Sequence, residues 1–330
     1  MVGIAHPDTY TDYAAEVARR IRETGATHRD YMIADGDPAD EIAFFDRLAS
    51  AANTLPSVKA ILILGVYAYD EAAVYRYTRE ELRGKIARTY SSYPVARQVA
   101  ERVTAYLRDL GYQATHGQDV PLKYVAHHIG LGCYGKNGLL LTRPYGSYVG
   151  LRDVLTDAPL EPDALERPSF CQDCDRCLRA CPNGALYAPY KVNPRLCFNP
   201  ITRREEPIPT ELRPRLGNMV HGCDICQEVC PANQGLVPRP VDPRAGYDPL
   251  HHASHKLLGG LERFPRLLDL LGSDHPPELR RNAAIAVANA MANAGRGRAD
   301  VLAALEAQMA GADEELREVL RWAMERLAGR

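Results

Sequence analysis

Eight of the nine cysteines in this 330-residue chain fall in two runs and one isolated position, and their spacing constrains the fold more than any other feature. The first run is Cys171, Cys174, Cys177, Cys181 and Pro182, a C-x2-C-x2-C-x3-C-P pattern. The second is Cys223, Cys226, Cys230 and Pro231, with Cys197 upstream supplying the thiolate this run lacks. Three cysteines at x2 spacing wrap around one iron–sulfur cube, and the x3-C-P turn directs the fourth thiolate away from it. Where two [4Fe–4S] clusters share a chain, that fourth cysteine ligates the other cluster. The rule assigns Cys171, Cys174, Cys177 and Cys230 to one cluster and Cys181, Cys197, Cys223 and Cys226 to the second. A pair of four-cysteine zinc sites is the competing reading. Zinc ribbons favour separated C-x2-C pairs over a triple run ending in C-P, so the spacing favours iron. The ninth cysteine, Cys133, reads as a small wall residue, because two four-ligand sets are complete without it.

Paired clusters carry single electrons, so the chain reads as an electron-transfer protein. Around the thiolates, residues 166–240 hold eleven prolines and leave little room for regular structure, so metal binding is expected to organise this segment. Formal net charge is −2, which gives no global field to attract nucleic acid. The N-terminus lacks a signal-peptide layout and no apolar run is long enough to span a bilayer, so a cytoplasmic protein without membrane contact is expected. In that reducing compartment the cysteines do not read as disulfides.

Outside the cysteine segment the chain divides by pattern into three parts: 1–165, a mixed α/β domain; 166–245, the two-cluster domain; and 246–330, a helical domain. Helical apolar spacing covers 10–23, with Tyr13, Val17 and Ile21 on one stripe. Residues 58–66, VKAILILGV, read as a buried strand. A helix is expected over 94–110, with Pro94 at its start and Gly111 past its end. Residues 129–150 are Gly-rich and turn-rich. Within them Gly130 to Gly135 matches the letters of a dinucleotide fingerprint without the strand and helix that motif needs. Close glycines imply backbone packed against something bulky, read here as a large ligand near 129–150. Helices are expected over 257–271, 278–293, 301–309 and 314–327. Their alternation suggests a small helical-repeat cap, with a plain bundle as the alternative.

Several stretches resemble the epoxyqueuosine reductase family. They are HHIGLGCYGKNGLLLTRPYGSYVGLRDVLTDAPL (127–160), CQDCDRCLRACPNGAL (171–186), RLCFNPITRREEPIPTELRPRLGNMVHGCDICQEVCPANQ (195–234), the earlier GKIAR (84–88), and LRRNAAIAVAN (279–289). The resemblance implies an α+β protein with three parts. These are a nitroreductase-like α/β cobalamin-binding domain, a bacterial-ferredoxin-like two-cluster domain and a C-terminal HEAT-like helical cap. It implies a cobalamin-dependent oxidoreductase that takes electrons from an external donor such as ferredoxin or flavodoxin. Two [4Fe–4S] clusters would pass them on to reduce epoxyqueuosine to queuosine in a tRNA anticodon loop. Reductive dehalogenases share the cobalamin and cluster core but lack the helical tail, which favours the tRNA-acting branch.

The resemblance also nominates residues. Asp119, ahead of Pro121, is the candidate general acid, since opening an epoxide leaves an alkoxide that a positioned carboxylic acid protonates. Tyr124, His127 and His128 are its understudies. The corrin's amide arms and phosphate tail want hydroxyl, amide and backbone N–H partners. Lys136, Asn137, Thr142, Gly146, Ser147 and Tyr148 are the candidates, joined by Phe198, Asn199 and Asp224 beside the cluster ligands. Arg203, Arg204, Arg280, Arg281, Arg296 and Arg298 are candidates for a phosphate track. Three departures from the family pattern keep alternatives open. They are Cys133 in place of an aromatic, Gly138 after Asn137, and TYSSY at 89–93. Those alternatives are a cobalamin-dependent reductase of a small molecule and a ferredoxin-like electron carrier.

Overall fold

The computed structural model describes residues 1–10, 51, 54–69, 82–117, 120–238, 265–272, 275–292 and 298–329. The expected helix over 10–23 lies almost wholly outside them, as does most of the one over 257–271. The described end of the latter is a turn and a short 3-10 helix, Asp269–Leu271.

Four strands form an antiparallel sheet. Strand β1 (Val2–Ala5) pairs with β2 (Ala60–Tyr67), which pairs with β7 (Val149–Thr156), which pairs with β4 (Ala114–His116). Strand β2 runs along β7 from Ala60 opposite Thr156 to Tyr67 opposite Val149. Its unbroken AILIL run has a physical cause, because the sheet is covered on both faces. Side chains alternate along a strand, so Leu62 and Leu64 reach one face and Ile61 and Ile63 the other. The first pair packs with Ala100 and Leu107 of helix α1 (Thr89–Asp109). The second packs with Val125 and Ala126 of helix α2 (Leu122–His128).

Helix α1 begins five residues before the proline expected to open it. Tyr90 explains the extension. It is 1% exposed, its hydroxyl donates to Asn199 Oδ1 at 3.1 Å, and its ring meets His221 edge-on at 4.5 Å. The first turn is thus fastened to the cysteine segment, and that packing outweighs the local preference for Pro at the start. Gly111 closes the helix as expected, with φ +90° and its N–H on the Arg108 carbonyl.

A short hairpin, β5 (Cys133–Tyr134) and β6 (Leu140–Leu141), precedes β7. The cysteine segment holds helices α3 (Arg176–Ala180), α4 (Phe198–Ile201) and α5 (Ile225–Glu228) and the hairpin β8 (Leu186–Ala188) and β9 (Lys191–Val192). Strand β3 (Lys85–Ile86) pairs in parallel with β10 (Met219–His221), so the GKIAR stretch lies beside the second cysteine run. Helices α6 (Pro277–Met291), α7 (Arg298–Gln308) and α8 (Glu314–Ala328) complete the chain, within a few residues of the expected bounds. One apolar core joins Ile86, Ala87 and Tyr90 to Phe198, Ile208 and Val220, and on to Ala284, Val319 and Leu320. The core thus runs through all three parts into which the sequence pattern divides the chain. Among the described residues no helix is long and apolar enough to cross a membrane.

Candidate iron–sulfur and redox site

Helices α3 and α5 pack on each other and present the two cysteine runs. Cys171, Cys174, Cys177 and Cys230 line one cavity together with Lys136, Asn137, Leu141 and Phe170. That is the first expected thiolate set, assembled from both runs. Burial, with Cys171 and Cys230 as neighbours, pushes the Cys177 thiol up to about 11. Burial also raises Cys230, and Cys171 and Cys174 add to it.

The other four thiols sense each other in the same way. Burial raises Cys197 most, a backbone hydrogen bond at Asn199 opposes this, and Cys181 raises it further. Burial pushes Cys223 up to about 12, with Cys197 contributing. Cys226 is raised by burial, by Cys223 and Cys197, and also by Cys177 of the first set, so the two groups are neighbours. Raised thiols are what uncompensated burial produces. A cluster removes the penalty by taking the thiolates as ligands. Among the described residues no three His, Cys, Asp or Glu side chains converge as a single ion would need. The first set instead rings a cavity, and this donor set fits a cube.

The glycines of 130–135 have a different explanation from a ligand. A Cβ on Gly130 would stand 2.0 Å from the Leu165 carbonyl oxygen, and one on Gly132 would stand 2.7 Å from that of Leu141. Gly130 and Gly132 are pressed against the chain's own backbone, which accounts for these two glycines without a ligand.

Most of the nine nominated corrin contacts are tied into hydrogen bonds or packing within the protein. Lys136 donates to the Gln172 carbonyl at 2.7 Å, and Asn137 lies beside it at the thiol cavity. Thr142 Oγ1 donates to the Gly146 carbonyl at 3.0 Å. A Cβ on Gly146 would meet Asn233 Oδ1 at 2.0 Å. Ser147 Oγ donates to Gln227 Oε1 at 2.9 Å and accepts from Asn233 Nδ2 at 2.9 Å. Tyr148 is buried, receives a 3.0 Å hydrogen bond from Arg88, and has its phenol pushed up, chiefly by burial. Asn199 is tied to Tyr90. Phe198 belongs to the apolar core. Asp224, 0% exposed, accepts from the Arg88 backbone N–H at 2.9 Å and from Gln227 Nε2 at 3.0 Å. Its carboxylate therefore braces α5 against the GKIAR stretch. Phe198 and Asp224 are buried inside the protein, and several of the nine meet along the second cysteine run, with Gly146 and Ser147 against Asn233 and Tyr148 linked through Arg88 to Asp224.

The sequence reading missed Arg88. Burial works against its charge, but the surrounding Tyr148, Asp224 and Glu228 outweigh it and raise its pKa. Its guanidinium carbon also lies 4.9 Å from the Tyr69 ring centroid. The only local signal was its place at the end of GKIAR.

Asp119 lies outside the described residues. Its understudies sit on and beside α2, with Tyr124 and His128 rings 6.2 Å apart and His127 5.1 Å from Tyr134. Burial, helped by Arg167, lowers the His127 pKa. The phosphate-track reading is corrected for two of its arginines. Arg281, 2% exposed, donates to the carbonyls of Ile201, Arg204, Glu205 and Glu206, and Arg280 donates to that of Leu271. Both are turned inward to satisfy loop carbonyls. Arg203 likewise donates to the Asn199 carbonyl.

Residues 170–233 match the family model described as a 4Fe-4S double cluster binding domain. The chain is 39% identical over 127 residues to the epoxyqueuosine reductase of Pseudomonas aeruginosa, covering 38% of this chain and 35% of that one. It is 33% identical over 177 residues to that of Bacillus subtilis, covering 51% of this chain and 46% of that one. The match thus spans less than half the length of either relative. A solved epoxyqueuosine reductase with a tRNA-Tyr epoxyqueuosine-modified stem loop superposes with a TM-score of 0.72 at 22% identity, covering 99% of this chain and 95% of that one. The protein is therefore an α+β chain with a double-cluster iron–sulfur segment, similar to the epoxyqueuosine reductases in sequence over up to about half its length and in fold along nearly its whole length.

Proposed function

We propose that this protein is an epoxyqueuosine reductase, an iron–sulfur oxidoreductase that removes the epoxide oxygen of epoxyqueuosine in a tRNA anticodon loop and leaves queuosine. The observation that carries the reading is the 33% identity over 177 residues to a protein of that name, beside the double-cluster match over 170–233. In the net reaction two C–O bonds break and a carbon–carbon double bond forms. Two electrons and two protons are consumed, and the oxygen leaves as water.

Within this reading Cys171, Cys174, Cys177 and Cys230 hold one [4Fe–4S] cluster, and Cys181, Cys197, Cys223 and Cys226 hold the other. The two relay single electrons from an external donor such as ferredoxin or flavodoxin. Asp119 is the proposed acid that delivers a proton to the opened epoxide oxygen. The division is 1–165 as a nitroreductase-like domain, 166–245 as the cluster domain and 246–330 as a HEAT-like cap, with a cytoplasmic site of action. Cobalamin enters from the resemblance alone and would supply a reducible cobalt centre when bound. The candidates other than Asn137 are its proposed contacts, and no step is routed through it.

The test is direct. Anaerobically reconstituted protein is incubated with reductant, cobalamin and epoxyqueuosine-containing tRNA, and the digested nucleosides are read by mass spectrometry. Queuosine is expected. Its absence, with clusters reduced and tRNA bound, overturns the substrate. Absence of tRNA retardation at low salt moves the reading to a small-molecule reductase. Protein that purifies without a corrinoid and leaves the spectrum of added cob(II)alamin unchanged removes cobalamin and favours the electron carrier.

A further inference from the structure

Asn137 was nominated as a corrin contact, but its surroundings point elsewhere. It lies in the turn between β5 and β6, is 6% exposed, and lines the cavity ringed by Cys171, Cys174, Cys177 and Cys230. Its Oδ1 accepts the Leu139 backbone N–H at 3.2 Å. Only an oxygen can meet that N–H, so the orientation of the amide is settled by the network. The Nδ2 group is then left buried with no hydrogen-bond partner among the described residues. A buried amide donor without an acceptor is costly and calls for an explanation. The backbone keeps room for the side chain, since a Cβ on Gly135 would stand 2.7 Å from Asn137 Oδ1.

We infer that the Asn137 side-chain amide donates a hydrogen bond to a sulfur of the cluster held by Cys171, Cys174, Cys177 and Cys230, and that it raises the reduction potential of that cluster alone. The inference rests on the ligand assignment proposed above. Cluster sulfides and thiolates are acceptors, and the charge on them grows when the cube takes up one electron. A donor at that sulfur binds the reduced state more strongly than the oxidised one. Hydrogen bonds to the sulfurs are among the determinants of cluster potential. Asn137 acts here as a positioning and tuning residue, and no bond is made or broken.

The experiment is an anaerobic, EPR-monitored potentiometric titration of the full-length, cluster-loaded protein with dithionite, for wild type, Asn137→Ala and Asn137→Asp. Asn137→Asp keeps an oxygen for the Leu139 N–H, so the turn is retained, but it loses the donor. Asn137→Ala loses the donor without adding charge. Both are expected to shift one cluster's reduction equilibrium on the order of tenfold toward the oxidised form, about 59 mV lower for one electron. The second cluster stays at its wild-type potential. Proton ENDOR of the reduced cluster after exchange into deuterated water should show one exchangeable proton fewer in both variants. Wild-type potentials with an unchanged proton signal overturn the inference. So does a shift in Asn137→Asp alone, which charge explains, or an equal shift of both clusters. A wild-type protein with iron for only one cluster breaks the ligand assignment instead, and is told apart by iron content before any titration.

Discussion

The cysteine segment and the C-terminal helices lie side by side on a shared apolar core, yet they are held together by different physics. Helices α6 and α8 pack Ala283, Ala284, Ile285, Val287, Val319 and Leu320 at essentially zero exposure. Burial of this kind stabilises by roughly 25 cal/mol per Å² of apolar surface. The cysteine segment has helices of only four or five residues, and burial raises several of its thiols, Cys177 and Cys223 among them. Its apolar contribution to the core comes mainly from Phe198 to Val220, between the two cysteine runs, so the runs themselves are expected to depend on metal for their arrangement. One region rests on apolar packing, and the other is expected to draw stability from ligand bonds.

The largest effect that sharpens this contrast comes from Cys174→Ala. It is expected to remove one cluster's worth of iron and to lower the melting temperature of the central segment, read by iron analysis and circular dichroism. Unchanged iron and melting would contradict the ligand assignment. The second effect is a pH dependence confined to the metal-free chain. Cys177 is pushed up to about 11 and Cys223 to about 12, above the ordinary thiol value of about 8.5. Below that value the thiol is protonated folded or unfolded. As pH rises past it the unfolded chain releases its protons first, so metal-free stability falls. Cluster-loaded protein, already deprotonated at these sulfurs, should be flat over that interval, and reconstitution should weaken as pH falls. Chemical denaturation from pH 7 to 10, with and without iron, checks the sign.

Leu320→Ala attacks the other region. It leaves a cavity in a fully buried site and is expected to cost about 2–5 kcal/mol in denaturant unfolding, with iron content unchanged. Iron loss in this variant would show that the shared core, not ligation, organises the cysteines. The smallest expected effect is at the seam between the Gly-rich turn and the second cysteine run. Gly146→Ala must displace Asn233, whose side chain holds the Ser147 N–H at 2.8 Å and the Gln227 carbonyl at 2.7 Å. A loss of about 1–3 kcal/mol is expected from overpacking. Thermal unfolding of the loaded protein measures it.

Much of this was legible without coordinates. The C-x2-C-x2-C-x3-C-P spacing already implied that Cys230 joins the first run, and the cavity contains that set. The AILIL run announced a strand covered on both faces, and apolar spacing placed α6, α7 and α8. These are short-range signals, set by the reach of a few residues of backbone. The sequence reading failed where a polar residue's partner is distant in the chain. Arg281 looked like a phosphate contact and instead serves carbonyls 75 to 80 positions away. Ser147 and Asp224 looked available to a ligand, and are occupied by Gln227 and Asn233 in one case and by Arg88 and Gln227 in the other.

Local spacing by itself therefore grouped Cys171, Cys174, Cys177 and Cys230, which line one cavity, and located β2 and α6 to α8. Tertiary structure decided which polar groups are left over for a ligand. A donor is free only if no acceptor from elsewhere in the chain reaches it, and that is a property of packing between segments. Asn137 shows this best, because its sequence neighbours never indicated that it would line a cavity with four cysteines and have a buried amide nitrogen with no acceptor among the described residues.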